Sequence, residues 1–420
     1  MEPVADRFCR YVQIDTRSSE ESQTAPSTPG QLDLLRLLEG ELKALGLTEV
    51  QLTDQGVLTA TLPSNLPREL DAKVPVVGLI AHVDTYPGVE GKGVKPQRFT
   101  YRGGEVVLPG DASQVIRPAE SPELAHYVGK EIITSDGTTL LGADDKAGVA
   151  AIMGALEVLT KSPARTHGRL RIGFTPDEEV GRGTENFDIG AFGARVAYTL
   201  DGSAAGEIED ETFCADTAVF TITGRDHHPG YAKGILVNAF KVAADLIREL
   251  PADAAPETTA GRQGYLHAYA LSGNVGAVTL KVLVRDFTVE GLKRFERRLE
   301  DIRAAVAPRH PGATIALAIE ESYRNMKLKL DETPEALELA VEAIRRAGLT
   351  PRRSAIRGGT DGSRLTLAGL PTPNVFAGGI DFHSTREWVA VEAMEQAVTT
   401  ILNLAELWVE WGEKRPDQPN

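Results

Sequence analysis

The spacing of apolar residues along the N-terminal half of the chain alternates between two patterns. Apolar side chains recur at every third or fourth position in three stretches, which predicts helices over Val4–Ile14, Gln31–Leu45 and Asp145–Leu159. Short continuous apolar runs separate these stretches and predict strands, namely Val57–Leu62, Val76–Ala81, Leu170–Phe174 and Val196–Leu200. Alternating strands and helices are typical of the α/β fold class.

A different order of elements begins near Thr212. The pattern predicts a strand, a helix, a hairpin of two strands, a helix and a strand, over Thr217–Thr223, Ala232–Leu250, Gly264–Leu271, Gly276–Phe287, Val289–Val306 and Ala313–Ile319. This β-α-β-β-α-β order is the split β-α-β unit of ferredoxin-like domains. We therefore expect a small α+β domain at 212–325, inserted between the two parts of a larger domain at 1–211 and 326–420.

The larger domain resumes with helices predicted over Pro334–Ala347 and Val391–Trp408 and a strand around Thr372–Ala377. Two segments do not follow this alternation. Residues 88–135 are rich in glycine, proline and polar turns, which predicts a long loop over a functional site. The C-terminal tail at 413–420 is expected to be disordered.

Composition narrows the classes of protein without identifying one. The 420 residues are 42% hydrophobic and 25% charged, as in ordinary globular proteins, and this length suggests two domains. A formal net charge of −15 argues against binding to nucleic acid or to an anionic membrane. Cys9 and Cys214 are too few for a disulfide framework. No signal peptide and no apolar run of about 18 residues is visible, so we expect a cytoplasmic protein.

Histidine and acidic residues follow several of the strand-like runs. Each of them is a residue type that binds metal ions or transfers protons: His82, Asp144, Glu178, Glu179, Asp201 and His383. Because the carboxyl ends of strands in an α/β sheet converge on one crevice, we expect these side chains to meet there. Two histidines and three of the four carboxylates can hold two divalent ions, which leaves the fourth carboxylate for proton transfer. The pattern favours a metallohydrolase.

Each motif also has a purely structural interpretation. The His82-x-Asp84 pair lies on one face of a strand, so Asp84 can accept the second ring N–H of His82, but such pairs are common by chance. Asp144 lies at a helix start, where aspartate is a frequent N-cap, or else bridges two metals. Glu178 and Glu179 form either a solvated acidic turn or a ligand beside a free proton carrier.

Three residues of the second half could act on a substrate. His228 precedes a Pro-Gly turn and could donate a hydrogen bond to an oxyanion. Arg285 ends an alternating strand, and Arg357 precedes a glycine-rich loop at 358–362. Both arginines would ordinarily form surface ion pairs, although a guanidinium beside such a loop also suits a bidentate carboxylate clamp.

Together these motifs resemble the co-catalytic zinc exopeptidases and, among them, the peptidase T family of tripeptide aminopeptidases. The resemblance covers nearly the whole chain. Its most specific motifs are Leu79–Asp84, Leu141–Gly148, Thr175–Gly181, His228–Asn238, Val284–Phe287, Tyr323–Met326, Ile356–Gly362 and Gly378–Ser384. It implies a three-layer α/β catalytic domain of the zinc-aminopeptidase type and a ferredoxin-like lid. In relatives the bridging aspartate precedes a cis peptide, so we expect one between Asp144 and Asp145.

The resemblance also implies a role for each candidate residue. His82, Asp144 and Asp201 match the ligands of one zinc, and Asp144, Glu179 and His383 match those of the other. Glu178 matches the general acid/base, and Asp84 the acid behind the first histidine ligand. His228 matches a histidine that reaches the partner's active site in dimeric relatives, and Arg285, Asn325 and Arg357 match substrate contacts. The chain departs from the family pattern at His227 and at 384–387, which puts fine substrate preference in question.

The sequence therefore predicts an aminopeptidase that releases the N-terminal residue of tripeptides. A metal-bridging water is the expected nucleophile, and Glu178 shuttles its proton. Zinc is the expected metal, with manganese and cobalt compatible with the same N and O ligands. A homodimer through the lid is the expected assembly. A carboxypeptidase or N-acyl amino acid deacylase on the same metals, and a metal-holding binding protein with a dead site, are the alternatives.

Overall fold

The computed structural model describes residues 1–415, which divide into two compact units. The first unit contains Met1–Asp210, Lys329–Ser354 and the described residues from Thr360 onward, and the second contains Glu211–Leu328 and Ala355–Gly359. The expected domain boundaries assign all of 326–420 to the larger domain, whereas contacts group the short Ala355–Gly359 segment with the second unit.

The helices, in chain order, are α1 (Val4–Tyr11), α2 (Gly30–Ala44), α3 (Arg68–Asp71), α4 (Ala143–Lys161), α5 (Ile189–Phe192), α6 (Ala239–Arg248), α7 (Val289–Val306), α8 (Lys327–Leu330), α9 (Pro334–Arg346), α10 (Asp361–Leu367) and α11 (Val391–Glu413). The strands are β1 (Thr48–Leu52), β2 (Leu58–Leu62), β3 (Val77–His82), β4 (Gln97–Thr100), β5 (Val106–Val107), β6 (Val115–Ile116), β7 (Glu131–Thr134), β8 (Leu170–Thr175), β9 (Val196–Gly202), β10 (Glu207–Thr212), β11 (Cys214–Thr223), β12 (Tyr265–Gly273), β13 (Ala277–Asp286), β14 (Thr314–Tyr323), β15 (Arg352–Ile356), β16 (Asn374–Phe376), β17 (Gly379–Ile380) and β18 (Trp388–Ala390).

The first unit is built on a twisted mixed sheet. Its strand order among the described residues is β1-β2-β8-β3-β9-β16-β10-β15, and the central pairs β8–β3, β3–β9 and β9–β16 are parallel. Consecutive residues of β3 pack on opposite faces. Leu79 joins the core formed with α1, α2, α4, α9 and α11, and Ile80 joins a smaller core with α5 and α10. Burial on both faces explains why these strands read as continuous apolar runs, and the α/β three-layer expectation is confirmed.

The prediction of a long loop at 88–135 is wrong in one respect, because part of this segment forms β-strands. Strands β4 and β7 pair with each other, and β7 also pairs with β18 near the C-terminal end of the chain. A separate apolar cluster around Trp388, Leu108 and Ile132 lies beside this sheet. The strands are only two to four residues long, which is too short to produce a recognisable alternation.

The second unit has the expected β-α-β-β-α-β order. Its antiparallel sheet has the strand order β12-β13-β11-β14, which is the ferredoxin-like arrangement. Alternate residues of β11 and β13, such as Phe220 and Leu280, pack against Leu246 of α6 and Leu299 of α7. The first helix starts later than expected, at Ala239, because Asn238 caps it through its side chain.

The C-terminal helix α11 extends to Glu413, so it includes the first residue of the tail predicted to be disordered. Residues 416–420 of that tail lie outside the described residues. None of the helices within 1–415 combines the length and the apolar character needed to cross a membrane.

Helix α4 approaches β9 at a glycine. A Cβ atom on Gly148 would lie 2.0 Å from the backbone oxygen of Leu200 and 2.3 Å from Oδ1 of Asp145. Both distances are far inside van der Waals contact. Only glycine therefore lets the first turns of α4 lie this close to the end of β9, where candidate metal ligands are located.

We expect Gly148→Ala to lower the free energy of unfolding by about 1–3 kcal/mol, as overpacking of a core typically does. Gly40→Ala on the exposed side of α2 is the matched control, because its Cβ would meet nothing within 4 Å. That change should raise stability by about 0.5–1 kcal/mol through helix propensity. Denaturant midpoints of both variants, measured with chelator present, check this. Equal midpoints would contradict the close approach of α4 and β9.

Candidate metal centre

Three of the five candidate ligands lie at the carboxyl-end edge of the main sheet. His82 is the last residue of β3, Asp201 lies near the end of β9, and Glu179 follows β8 in a short turn. These three strands are parallel neighbours, so their ends lie together. Asp144 at the start of α4 and His383 just after β17 complete the group.

The carboxylate of Asp144 lies between the two histidines. Its Oδ1 is 3.0 Å from Nε2 of His82, and its Oδ2 is 3.2 Å from Nε2 of His383. Asp201 approaches the same nitrogen of His82 at 3.5 Å, and Glu179 approaches that of His383 at 2.9 Å. The side chains thus form two groups that share Asp144, with one oxygen directed to each group.

The start of α4 separates the roles of its two acidic residues. The expected cis peptide between Asp144 and Asp145 is present, and neither residue has helical backbone angles. Asp145 accepts hydrogen bonds from the backbone N–H of Gly148 at 3.2 Å and of His82 at 3.2 Å. The helix-capping role considered for Asp144 therefore belongs to Asp145, and both oxygens of Asp144 face the histidines.

The centre concentrates negative charge in a buried place. Burial raises the pKa of Glu179 to about 7, and the neighbouring charge of Asp144 adds to the shift. Burial likewise raises the pKa of Asp201 to about 6. Although burial opposes it, hydrogen bonding to Asp144 and Glu179 raises the pKa of His383 to about 10. In the absence of another cation, protons must therefore offset the carboxylate charge.

A divalent cation would offset the same charge without protons. The described residues supply groups of three ligand atoms close enough to hold an ion, one of them formed by His82, Asp144 and Glu179. Their donors are imidazole nitrogen and carboxylate oxygen, which suit zinc, manganese or cobalt. The site thus fits the metal chemistry implied by the sequence.

Asp84 supports two parts of the centre at once. Its Oδ1 is 3.2 Å from Nδ1 of His82, on the ring side opposite Asp144. Its two oxygens also accept the backbone N–H groups of Glu178 at 2.9 Å and Glu179 at 3.1 Å. The same ring nitrogen is also 3.1 Å from the backbone oxygen of Asp84, so both groups of this residue face His82, and its carboxylate holds the turn that carries both glutamates.

Glu178 differs from its neighbour Glu179. Among the described residues its carboxylate forms no hydrogen bond or ion pair. Burial, reinforced by the charges of Asp201 and Asp361, raises its pKa well above the ordinary range. A carboxylate with a raised pKa and no partner is suited to accept and release a proton.

Sequence reasoning missed several residues around the centre. The ring of Tyr86 stacks on that of His383, with centroids 4.1 Å apart and an interplanar angle of 2°. Asp361 is buried and accepts a hydrogen bond from the hydroxyl of Thr175 at 2.8 Å. Glu387 is buried and accepts backbone N–H groups of the loop before α4. Their only sequence signal is proximity to motif residues, which does not indicate a role.

The remaining candidates lie in the second unit. His228 is exposed, and its Nδ1 accepts the backbone N–H of Gly230 at 3.2 Å. Arg285 donates through Nη1 to the backbone oxygens of Asp216 and Val284. Arg357 donates to the backbone oxygens of residues 261 and 263 and to the hydroxyl of residue 259.

Asn325 does not have the substrate-binding geometry expected of it. Its amide nitrogen donates to Glu211 at 3.1 Å and to the backbone oxygen of Phe287 at 2.9 Å. Its amide oxygen accepts the backbone N–H groups of Thr212 at 3.1 Å and Lys327 at 2.9 Å. Both N–H donors and both acceptor positions of the buried amide are engaged within its own unit. The side chain therefore has no donor or acceptor available for a peptide.

This chain is similar to known peptidases over most of its length. Residues 136–407 match the family model described as peptidase family M20/M25/M40. A peptidase T from Geobacillus thermodenitrificans is 45% identical over 404 residues, which cover 96% of this chain and 97% of that protein. The crystal structures of the aminopeptidase PepT from Bacillus cereus and of a tripeptidase from Staphylococcus aureus have TM-scores of 0.73 and 0.74. Each is 24% identical and covers 97% of this chain and 98% of its own, which shows a shared fold.

Proposed function

Because this chain belongs to peptidase family M20/M25/M40, we propose that it is a metal-dependent aminopeptidase that removes the N-terminal residue from tripeptides. The observation that carries the proposal is the carboxylate of Asp144, held between two histidine–carboxylate groups and beside Glu178, whose carboxylate has no partner within residues 1–415. The peptidase T similarity over nearly the whole chain supports the substrate class.

The five ligands would hold two divalent ions, for which we propose zinc. His82 and Asp201 would bind one, Glu179 and His383 the other, and Asp144 would bridge them. Bound there, such ions polarise a scissile carbonyl and lower the pKa of water. Glu178 takes the proton from the attacking water and delivers it to the leaving amine, since no hydrogen bond from the described part of the chain restrains its carboxylate.

A cavity beside the centre is suited to the N-terminal residue of the substrate. It has a volume of about 790 Å³, and Tyr86, which stacks on His383, forms one wall. Asp15, Glu20 and Glu21 line it as well. Arg17 also lines it but is 3.5 Å from Glu90, so the wall remains net acidic. An acidic wall attracts a free α-ammonium group and disfavours an N-acyl group, which supports an aminopeptidase over a deacylase.

The two lid arginines remain candidates for the C-terminal carboxylate. Within the described residues Arg285 bonds only through Nη1, which leaves the Nε–Nη2 edge of its guanidinium open. That edge presents two parallel N–H groups that match a carboxylate. Arg357 has fewer remaining donors, because Nη2 also bonds to the hydroxyl of Thr259. Arg285 is therefore the stronger candidate.

The role of Glu178 can be separated from metal binding. Glu178→Gln should retain both ions and the fold while kcat falls by about 10²–10⁴-fold, because the proton carrier is lost. Its matched control is the neighbouring Glu179→Gln, which should weaken metal binding. Metal content and kcat of both variants are measured side by side. If Glu178→Gln loses metal and Glu179→Gln keeps it, the two roles are reversed.

A panel of defined peptides tests the reaction itself. Tripeptides should yield a free N-terminal residue and a dipeptide, because remote binding of the carboxylate positions the first peptide bond. Dipeptides, N-acetylated tripeptides and tripeptide amides should be hydrolysed more slowly. Arg285→Ala should reduce the difference in hydrolysis rate between tripeptides and their C-terminal amides. Release of the C-terminal residue would instead indicate a carboxypeptidase. Preference for N-acyl amino acids would indicate a deacylase, and binding without turnover a dead site.

We also propose a homodimer through the second unit, with His228 acting at the partner's active site. Its support is an exposed imidazole on a turn capped by its own ring nitrogen. Mixing inactive His228→Ala chains with inactive Glu178→Gln chains should restore activity, since each mixed dimer has one intact site. A fully active monomer at assay concentration would contradict this.

A cytoplasmic location, consistent with free Cys9 and Cys214, belongs to the same proposal.

A further inference from the structure

Glu387 lies in the loop after His383, and its carboxylate is hydrogen-bonded to the backbone of the segment that carries Asp144. The side chain is buried, with 1% of the residue exposed. Its Oε2 accepts the backbone N–H groups of Leu141 at 2.9 Å and Gly142 at 2.7 Å, and its Oε1 accepts that of Asp144 at 2.9 Å. One carboxylate thus accepts three backbone N–H groups within residues 141–144, before the first regular turn of α4.

Residues 1–415 provide no second hydrogen-bond acceptor for these three N–H groups. The first N–H groups of a helix lack intrahelical partners, and Asp144 itself has non-helical backbone angles. Gly142, at the N-cap position, supplies no side chain to satisfy them. The position of the Asp144 backbone therefore depends on a side chain from a distant part of the sequence.

Glu387 is itself held firmly. The next residue, Trp388, begins β18, which pairs with both β7 and β17. The buried indole of Trp388 donates to the hydroxyl of Ser121 at 2.9 Å. Two residues before Glu387, the backbone oxygen of Thr385 accepts the hydroxyl of Ser135 at 3.3 Å. The loop that carries His383 and Glu387 is thus anchored on the small antiparallel sheet.

From this geometry we propose that Glu387 is a positioning residue for the ion held by Asp144, Glu179 and His383. It fixes the bridging carboxylate relative to the loop of His383, so that Oδ2 of Asp144 faces that imidazole. The inference rests on the proposed metal pair. The other ion would also be held by His82 and Asp201, which lie on the adjacent parallel strands β3 and β9, and among the described residues Glu387 forms no hydrogen bond with either strand.

The test is metal binding by the full-length protein after chelator treatment. Glu387→Gln keeps the side-chain shape but places an amide N–H₂ group against backbone N–H donors. In a stepwise Zn²⁺ titration, the affinity for the ion bound by His383 should fall by about 10–100-fold, as it does when other residues that orient ligands are replaced. The other ion should stay within about threefold of wild type. His383→Ala and His82→Ala assign the two steps, and the visible spectrum of bound Co²⁺ reports changed coordination at the weakened site.

Glu157→Gln is the matched control. Glu157 is also buried on α4, accepts the backbone N–H of Glu2 at 3.2 Å and pairs with Arg7 at 2.8 Å, far along the helix from Asp144. This variant should lose stability without any change in either metal step or in the Co²⁺ spectrum. Glu387→Asp, which keeps the charge, should weaken the His383 ion less than Glu387→Gln and remains informative if the glutamine variant does not fold.

The proposal would be overturned if the affinities for both ions fell equally. It would also be overturned if neither Glu387→Asp nor Glu387→Gln changed the affinity for either ion. Wild-type protein that binds only one ion per chain would overturn it together with the proposed metal pair. Wild-type protein that binds two ions but releases no N-terminal residue from tripeptides would refute the proposed function alone. In that case selective loss of the His383 ion in Glu387→Gln still supports the positioning role.

Discussion

The burial of negative charge is the constraint on which this structure depends. Carboxylates cluster at one edge of the main sheet, and an isolated buried carboxylate is strongly unfavourable unless it is paired, hydrogen-bonded or bound to metal. Backbone N–H groups provide much of the compensation. Asp84, Asp145 and Glu387 together accept seven of them, on the turn after β8, the end of β3 and the start of α4. These bonds hold the segments that carry His82, Asp144 and Glu179.

This compensation divides the acids into two classes. Supporting carboxylates have their oxygens engaged by backbone donors, whereas Asp144 directs both oxygens to histidines. Asp144 and Asp145 are adjacent in sequence but belong to different classes, since their backbone angles send the side chains in different directions. Glu178 belongs to neither class, because no donor among the described residues reaches its carboxylate. Proton transfer requires that freedom, while metal binding requires the restraint of its neighbours.

Much of the architecture could be predicted from the sequence because strongly periodic segments determine it. The apolar run of β3, the long face of α4 and the split β-α-β order of the second unit each leave a clear pattern. The short strands β4 to β7 leave none, since their pairing is decided by partners distant in sequence. The grouping of His82, Glu179 and Asp201 was predictable from strand ends, whereas Asp144 begins a helix and His383 follows a strand of the small sheet. The supporting role of Glu387 and the saturated bonding of Asn325 were not, because they depend on which backbone groups the fold brings near.

The separation of the ligands along the chain has a consequence for how the protein is made. Asp144 and His383 contact each other although 239 positions separate them. During translation the N-terminal segments emerge and begin to fold first, so the histidine and acids of the first half are exposed long before His383 is synthesised. Closing this loop costs conformational entropy, which the packing of the first unit offsets. The hydrolytic centre is therefore assembled only after His383 has been synthesised, so shorter nascent chains carry no complete set of ligands.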